Sequence, residues 1–104
     1  MKTYYHITTS AYQDGDDLIS AQEQIERYGE TINASKWDDE LYDTDIVCLF
    51  ATRDEAEEAM GLPEFRGCDV LLAVSIDDED EQPRINDEGY PYVRRVYGRQ
   101  ITRL

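Results

Sequence analysis

The stretch Lys2-Thr3-Tyr4-Tyr5-His6-Ile7-Thr8-Thr9 decides how the rest of the chain is read. It is aromatic and β-branched, the composition of a strand that packs on at least one face. It also carries the only histidine in the chain. Alternation puts Tyr4, His6 and Thr8 on one face and Tyr5 and Ile7 on the other. The downstream segments read as short helices and strands able to pack around this strand.

Two further apolar runs supply its neighbours. Residues 45 to 50 end in Ile46-Val47-Cys48-Leu49-Phe50, a near-continuous run that implies burial on both faces. Residues 69 to 76, around Val70-Leu71-Leu72-Ala73-Val74, form the most apolar stretch and a third strand. The segment Tyr90-Pro91-Tyr92-Val93-Arg94-Arg95-Val96-Tyr97 is aromatic and basic. After a turn at Gly98, residues 100 to 104 can pair as a last strand.

Two helices share one punctuation. Ser20 with Glu23 makes a capping box. Ala21, Ile25 and Tyr28 follow at helical spacing, Gly29 stops the helix, and Leu18 and Ile19 can staple its start. Thr52 with Glu55 repeats the box. There Ala56, Ala59 and Met60 face inward, and Gly61 ends the helix at the C′ position before Pro63. Residues 9 to 17 read as a loop, and so do residues 30 to 43, with Trp37 as a half-buried anchor. The acidic run Asp77-Asp78-Glu79-Asp80-Glu81 lacks the interleaved turn residues of an oxygen-ligand cation site and reads as a solvated loop. The expected fold class is α+β: one domain with a small, mostly antiparallel sheet and two short helices.

Composition narrows the partners. The chain has 104 residues with 24 Asp+Glu against 10 Lys+Arg, for a net charge of −14. That surplus disfavours nucleic-acid binding through a basic surface. Only Lys2 and Lys36 are lysines, and lysine poverty with acid wealth resembles halophilic adaptation. Nucleic-acid mimicry and recognition of a basic partner are the competing readings. Four arginines, Arg94, Arg95, Arg99 and Arg103, cluster near the C-terminus. They read either as local partners of acids or as an anion contact. Cys48 and Cys68 read as buried small hydrophobes at strand-like positions. No run approaches membrane-spanning length and no secretory leader is evident, so the expected setting is cytoplasmic or virus-associated.

Phosphate loops, nucleophile elbows and paired-cysteine metal motifs are absent from the sequence. What remains is an order of elements. A first strand with Tyr5-His6-Ile7-Thr8 precedes a small helix. An apolar strand then runs into a capped helix through Leu49-Phe50-Ala51-Thr52-Arg53-Asp54-Glu55-Ala56. A further strand, an acidic loop and two closing strands follow. This order resembles the ADP-ribosyltransferase-like superfamily, in its small uncharacterised branches.

The resemblance implies NAD as cofactor, with ADP-ribosyl transfer to a protein or nucleic-acid target. His6 and Thr8 match the first-strand motif, in which the histidine holds the adenosine ribose of NAD and the neighbouring backbone holds the nicotinamide amide. Ile7 stands where glycine is common. The second motif places a Tyr or Ser near the end of the second strand. Here Phe50 or Thr52 stands in that region. The third motif is an acid at the start of a late strand, for which Glu88 is the nearest match, with Gln100 behind it. The alternative function is a non-catalytic acidic interaction protein: an inhibitor, a DNA mimic or a virion-associated component.

Overall fold

A computed structural model of the chain describes residues 1–10, 12–19, 47–65 and 68–104. The helix expected over residues 20–29, the Trp37 loop, and residues 45 and 46 of the second strand lie outside the described residues. Within the described residues the architecture is α+β, and every strand pair is antiparallel.

The N-terminal stretch forms β1, Lys2–Thr8. It pairs along its whole length with β4, Val70–Ile76, from Lys2 opposite Ile76 to Thr8 opposite Val70. The last strand of the chain, β8 (Ile101–Arg103), lies on the other edge of β4, so the central sheet runs β1-β4-β8. A second sheet runs β3-β6-β5, from Val47–Cys48, Pro91–Val93 and Arg84–Ile85. A third pair joins β2, Leu18–Ile19, to β7, Arg95–Val96. The first two sheets meet at Phe50, which bridges Tyr5 through Tyr5 N–H to Phe50 O at 2.9 Å and Phe50 N–H to Tyr5 O at 2.7 Å.

Both faces of the central sheet are covered. Tyr4, Leu72, Val74 and Ile76 pack with Val47, Leu49, Val93 and Val96 from the other strands. On the opposite face Ile7 and Leu71 pack with Ala56 and Ala59, Phe65 and Cys68. The two alanines belong to the one α-helix among the described residues, α1 (Arg53–Met60). Its start carries the Thr52 half of the expected capping box: Thr52 Oγ1 accepts from Glu55 N–H at 3.2 Å, and Asp54 and Glu55 sit in the first turn, where the helix dipole favours them. Its end departs from the sequence reading. Gly61 has a right-handed φ of −81°, so the helix stops without a left-handed glycine and passes into a 3-10 turn at Pro63–Phe65.

Long-range pairing refines other expectations. Leu18 and Ile19 form a strand against β7, and the helix they were expected to staple lies outside the described residues. The turn expected at Gly98 is present as a 3-10 turn, Gly98–Gln100, so Gln100 belongs to the turn and the last strand is Ile101–Arg103. Val47 and Leu49 are buried, but Cys48 and Phe50 are half-exposed, so residues 47–50 are not buried on both faces. Cys68 is buried just before β4, and both cysteines are free thiols.

The acidic run is more ordered than its composition implies. Asp80 Oδ2 accepts from Asp77 N–H at 2.9 Å, and Oδ1 accepts from Arg99 Nη2 at 2.8 Å, leaving the Asp80 side chain 6% exposed. The Asp77 N–H first, and Arg99 second, hold the Asp80 carboxyl below its ordinary range. The neighbours Asp77, Asp78, Glu79 and Glu81 stay exposed, as a solvated loop requires.

Candidate functional site

Tyr4, His6 and Thr8 share the core-facing side of β1, as alternation requires, and all three are buried. His6 is 7% exposed and stands opposite Leu72 of β4. Its Nδ1 lies 2.8 Å from the carbonyl oxygen of Cys48. This contact sits beside the Tyr5–Phe50 bridge. A continued antiparallel ladder would pair Ile7 with Cys48 next. The imidazole of His6 takes that carbonyl instead, so a side chain extends the junction where backbone pairing ends.

A carbonyl oxygen only accepts, so Nδ1 is the protonated nitrogen and Nε2 is the bare acceptor. No hydrogen-bond partner of Nε2 is present among the described residues, and no side-chain nitrogen or oxygen there is both buried and without a partner. The ring is deep enough that burial pushes its pKa below the ordinary value, against a smaller upward pull from the Cys48 carbonyl.

Burial of a neutral histidine has a stability consequence. With the folded pKa below the unfolded one, the unfolded chain takes up a proton first as pH falls. The stabilisation is complete above the ordinary histidine range and is lost on acidification through it. His6→Asn keeps an amide donor toward Cys48 and removes the titration. Between about pH 7 and about pH 5 the wild-type chain is expected to lose stability that the variant keeps. The difference slope should approach 1.4 kcal/mol per pH unit, roughly the linkage limit for one proton. Urea midpoints of both chains at both pH values check this, and parallel curves would contradict it.

The other sequence candidates divide into two groups. Phe50 is half-buried and stacks edge-on against Phe65 and Tyr90, with ring centroids 6.2 and 5.8 Å away. Glu88 is exposed on the turn before β6, where its N–H donates to Asn86 Oδ1 at 3.0 Å. Burial first, and the charge of Glu88 second, raise the pKa of the Cys48 thiol. Cys48 is thus the common neighbour: His6 bonds its carbonyl, and Glu88 acts on its thiol. His6 and Phe50 adjoin through the backbone of residues 48–50, but the Phe50 ring packs with Ile7 and Phe65 on the α1 side of the sheet, the face opposite His6.

Thr52 and Gln100 are occupied elsewhere. The Thr52 hydroxyl accepts the helix-capping bond. Gln100 is buried, its Oε1 accepts from Tyr97 N–H at 2.9 Å, and its Nε2 donates to Ser75 O at 3.1 Å. Both ends of its amide hold backbone. Tyr90, which edges Phe50, escaped the sequence reading. Its aromatic ring next to Glu88 was the available signal.

The C-terminal arginines mostly turn to acids. Arg95 pairs with Asp17, Arg99 with Asp80, and Arg103 with Asp14. Arg95 and Arg99 also stack over Tyr97, and Arg103 over Tyr12. Three of the four are therefore engaged locally, as the ion-pair reading expected. No cluster of three or more His, Cys, Asp or Glu placed to hold a metal ion occurs among the described residues. No helix among them is long and apolar enough to cross a membrane.

Comparison with known proteins adds no relative. No protein-family model matches the chain, and no curated protein or solved structure matches it significantly.

Proposed function

We propose that the chain binds NAD in the manner of an ADP-ribosyltransferase-like protein, with His6 at the ribose and Glu88 as the acid that would face developing positive charge during transfer. The observation that carries this reading is the convergence on Cys48. The strand bearing His6 and the segment bearing Phe50 adjoin there, and Tyr90, at the end of the Glu88 turn, edges Phe50. These are the three segments that the resemblance assigns to the cofactor. The bare Nε2 of His6 supplies an acceptor suited to a ribose hydroxyl.

Calorimetric titration of NAD at low and at molar salt tests the reading. Binding is expected most clearly in molar salt, because the dinucleotide is anionic and the chain carries −14. His6→Ala is expected to weaken binding by about tenfold or more, the loss of one hydrogen bond to a buried partner. A folded wild-type chain that gives no signal at either salt sinks the proposal.

A second reading, a non-catalytic acidic interaction protein, is favoured by the charge layout. Arg95, Arg99 and Arg103 are spent on internal pairs. Exposed acids meanwhile stand on the 14–16 loop, on α1, on the 77–81 loop and on the 87–88 turn. Acids on four separate elements fit a generally negative partner surface better than two phosphate-like rows, so a protein target of basic character suits this reading better than duplex mimicry.

A further inference from the structure

We infer that the outer face of the second sheet, where Phe50, Tyr90 and Tyr92 lie beside the acids of the 87–88 turn, is a docking surface for a positively charged protein segment with aromatic anchors. The inference rests on the interaction reading, not on the NAD reading, and gives that reading a place on the molecule and a mode of contact.

The sheet β3-β6-β5 has two unlike faces. Val47 and Val93 point into the larger core, and so does Leu49 just beyond β3. Alternation puts the cross-strand partners Cys48 and Tyr92 on the opposite face. Leu49 N–H donates to Pro91 O at 2.9 Å, which brings Phe50 level with Tyr90, and the two rings meet edge-on with centroids 5.8 Å apart. Cys48, Phe50 and Tyr92 are half-exposed, and Tyr90 is 40% exposed. The open face of an antiparallel sheet is ordinarily polar, whereas this one carries a strip of rings, the pattern of a contact surface.

The charge around the strip selects the occupant. Asp87 and Glu88 are exposed on the turn leading into β6, and Glu88 acts on the Cys48 thiol, so its carboxylate borders the rings. Arg84, opposite Tyr92, is the cation of this face among the described residues. None of the ion pairs or ring contacts of the described cations involves Glu88 or Tyr90. Elsewhere the chain completes the same combination internally. Arg95 and Arg99 stack on Tyr97 while paired to Asp17 and Asp80, and Arg103 stacks on Tyr12 while paired to Asp14. At Tyr90 and Glu88 the ring and the acid are in place, and a cationic side chain from a partner completes the set. A second copy is a poor occupant, because it brings −14 against −14.

The probe is a synthetic peptide alternating arginine with tryptophan, titrated by calorimetry. A lysine–alanine peptide of equal length and charge is the comparison. The arginine–tryptophan peptide is expected to bind at least about tenfold tighter, and its affinity should fall as salt rises. Tyr90→Ser should weaken it by about tenfold and Glu88→Gln by about threefold. Tyr97→Ser, at a ring of similar exposure on another element, should leave it unchanged. Amide shifts in the wild-type chain should move first in β6 and the 86–90 turn, which locates the peptide without any substitution.

Binding that is indifferent to Tyr90→Ser and Glu88→Gln, or shifts confined to other elements, overturns the surface and leaves the basic-partner reading standing. Equal affinity for the two peptides overturns it as well, since charge alone then accounts for the attraction. A dimer in molar salt that Tyr90→Ser dissolves makes a second copy the occupant and overturns the inference. Silence from both peptides removes the interaction reading and the inference together.

Discussion

Gly98→Ala is expected to cost about 3 kcal/mol of stability, at the upper end of what an inserted methyl normally costs. A Cβ built at Gly98 would overlap the carbonyl oxygen of Gly15 and stand 2.7 Å from its carbonyl carbon. The obstacle is backbone, so no side-chain rotation relieves it. Separating the two segments breaks other ties. Asp17 Oδ1 accepts from Gly98 N–H at 2.7 Å, and Asp17 Oδ2 accepts from Arg95 Nε at 3.1 Å. One methyl thus pries the 12–17 loop from the closing strands. Gly15→Ala is the control. Gly15 has φ +94° but open space around its Cβ position, so its cost is conformational, about 1 kcal/mol. Urea unfolding of the two variants separates the mechanisms. A Gly98→Ala chain no less stable than Gly15→Ala would show that the backbones do not approach so closely.

That contact also shows where sequence reading stops. Gly98 looks like any turn glycine, because its constraint comes from a residue 83 positions earlier (98 − 15 = 83). The same holds for Leu18 and Ile19, whose strand partners Val96 and Arg95 lie near the other end of the chain. Local signals fared better. The β1 alternation, the apolar run of β4 and the Thr52–Glu55 cap are written within a few residues, and each appears where it was read. The Gly61 stop is an instructive exception. Glycine permits a left-handed end but does not compel it, and Pro63 together with Leu62 N–H bonding to Ala59 O is enough to end the helix.

The site was legible as strands and not as contacts. His6 and Thr8 were placed on one face from period-2 alternation alone. That this face would be the core side depended on Val47, Leu49, Val93 and Val96 covering it, which no local pattern states. Glu88 was singled out as an acid ahead of an aromatic strand. Its action on Cys48 depends on β6 lying beside β3, a pairing across 40 and more residues. Gln100 carried no sign that both ends of its amide would be taken by Tyr97 and Ser75. Polar residues are read from sequence by what they could bond, and only the fold decides what they do bond.

Leu72→Ala tests the fold and the site at once, and is expected to cost about 3 kcal/mol. Leu72 is 0% exposed, at the centre of the larger core cluster and on the middle strand of the central sheet. A domain of this size is stabilised by only about 5 to 15 kcal/mol, so the loss is a large share. The cavity would open directly opposite His6, since Leu72 and His6 are cross-strand partners on one face. Water or added freedom there lowers the penalty on a charged ring, so the pKa of His6 should rise back toward its ordinary value. Leu71→Ala is the matched comparison. Leu71 is also buried, but it faces the α1 side with Ala56, Ala59 and Phe65. It should destabilise the chain without moving the titration of His6. Urea midpoints and NMR titration of the single imidazole give both readouts on each variant. If Leu71→Ala shifts the imidazole as far as Leu72→Ala does, His6 does not face the side of the sheet described above.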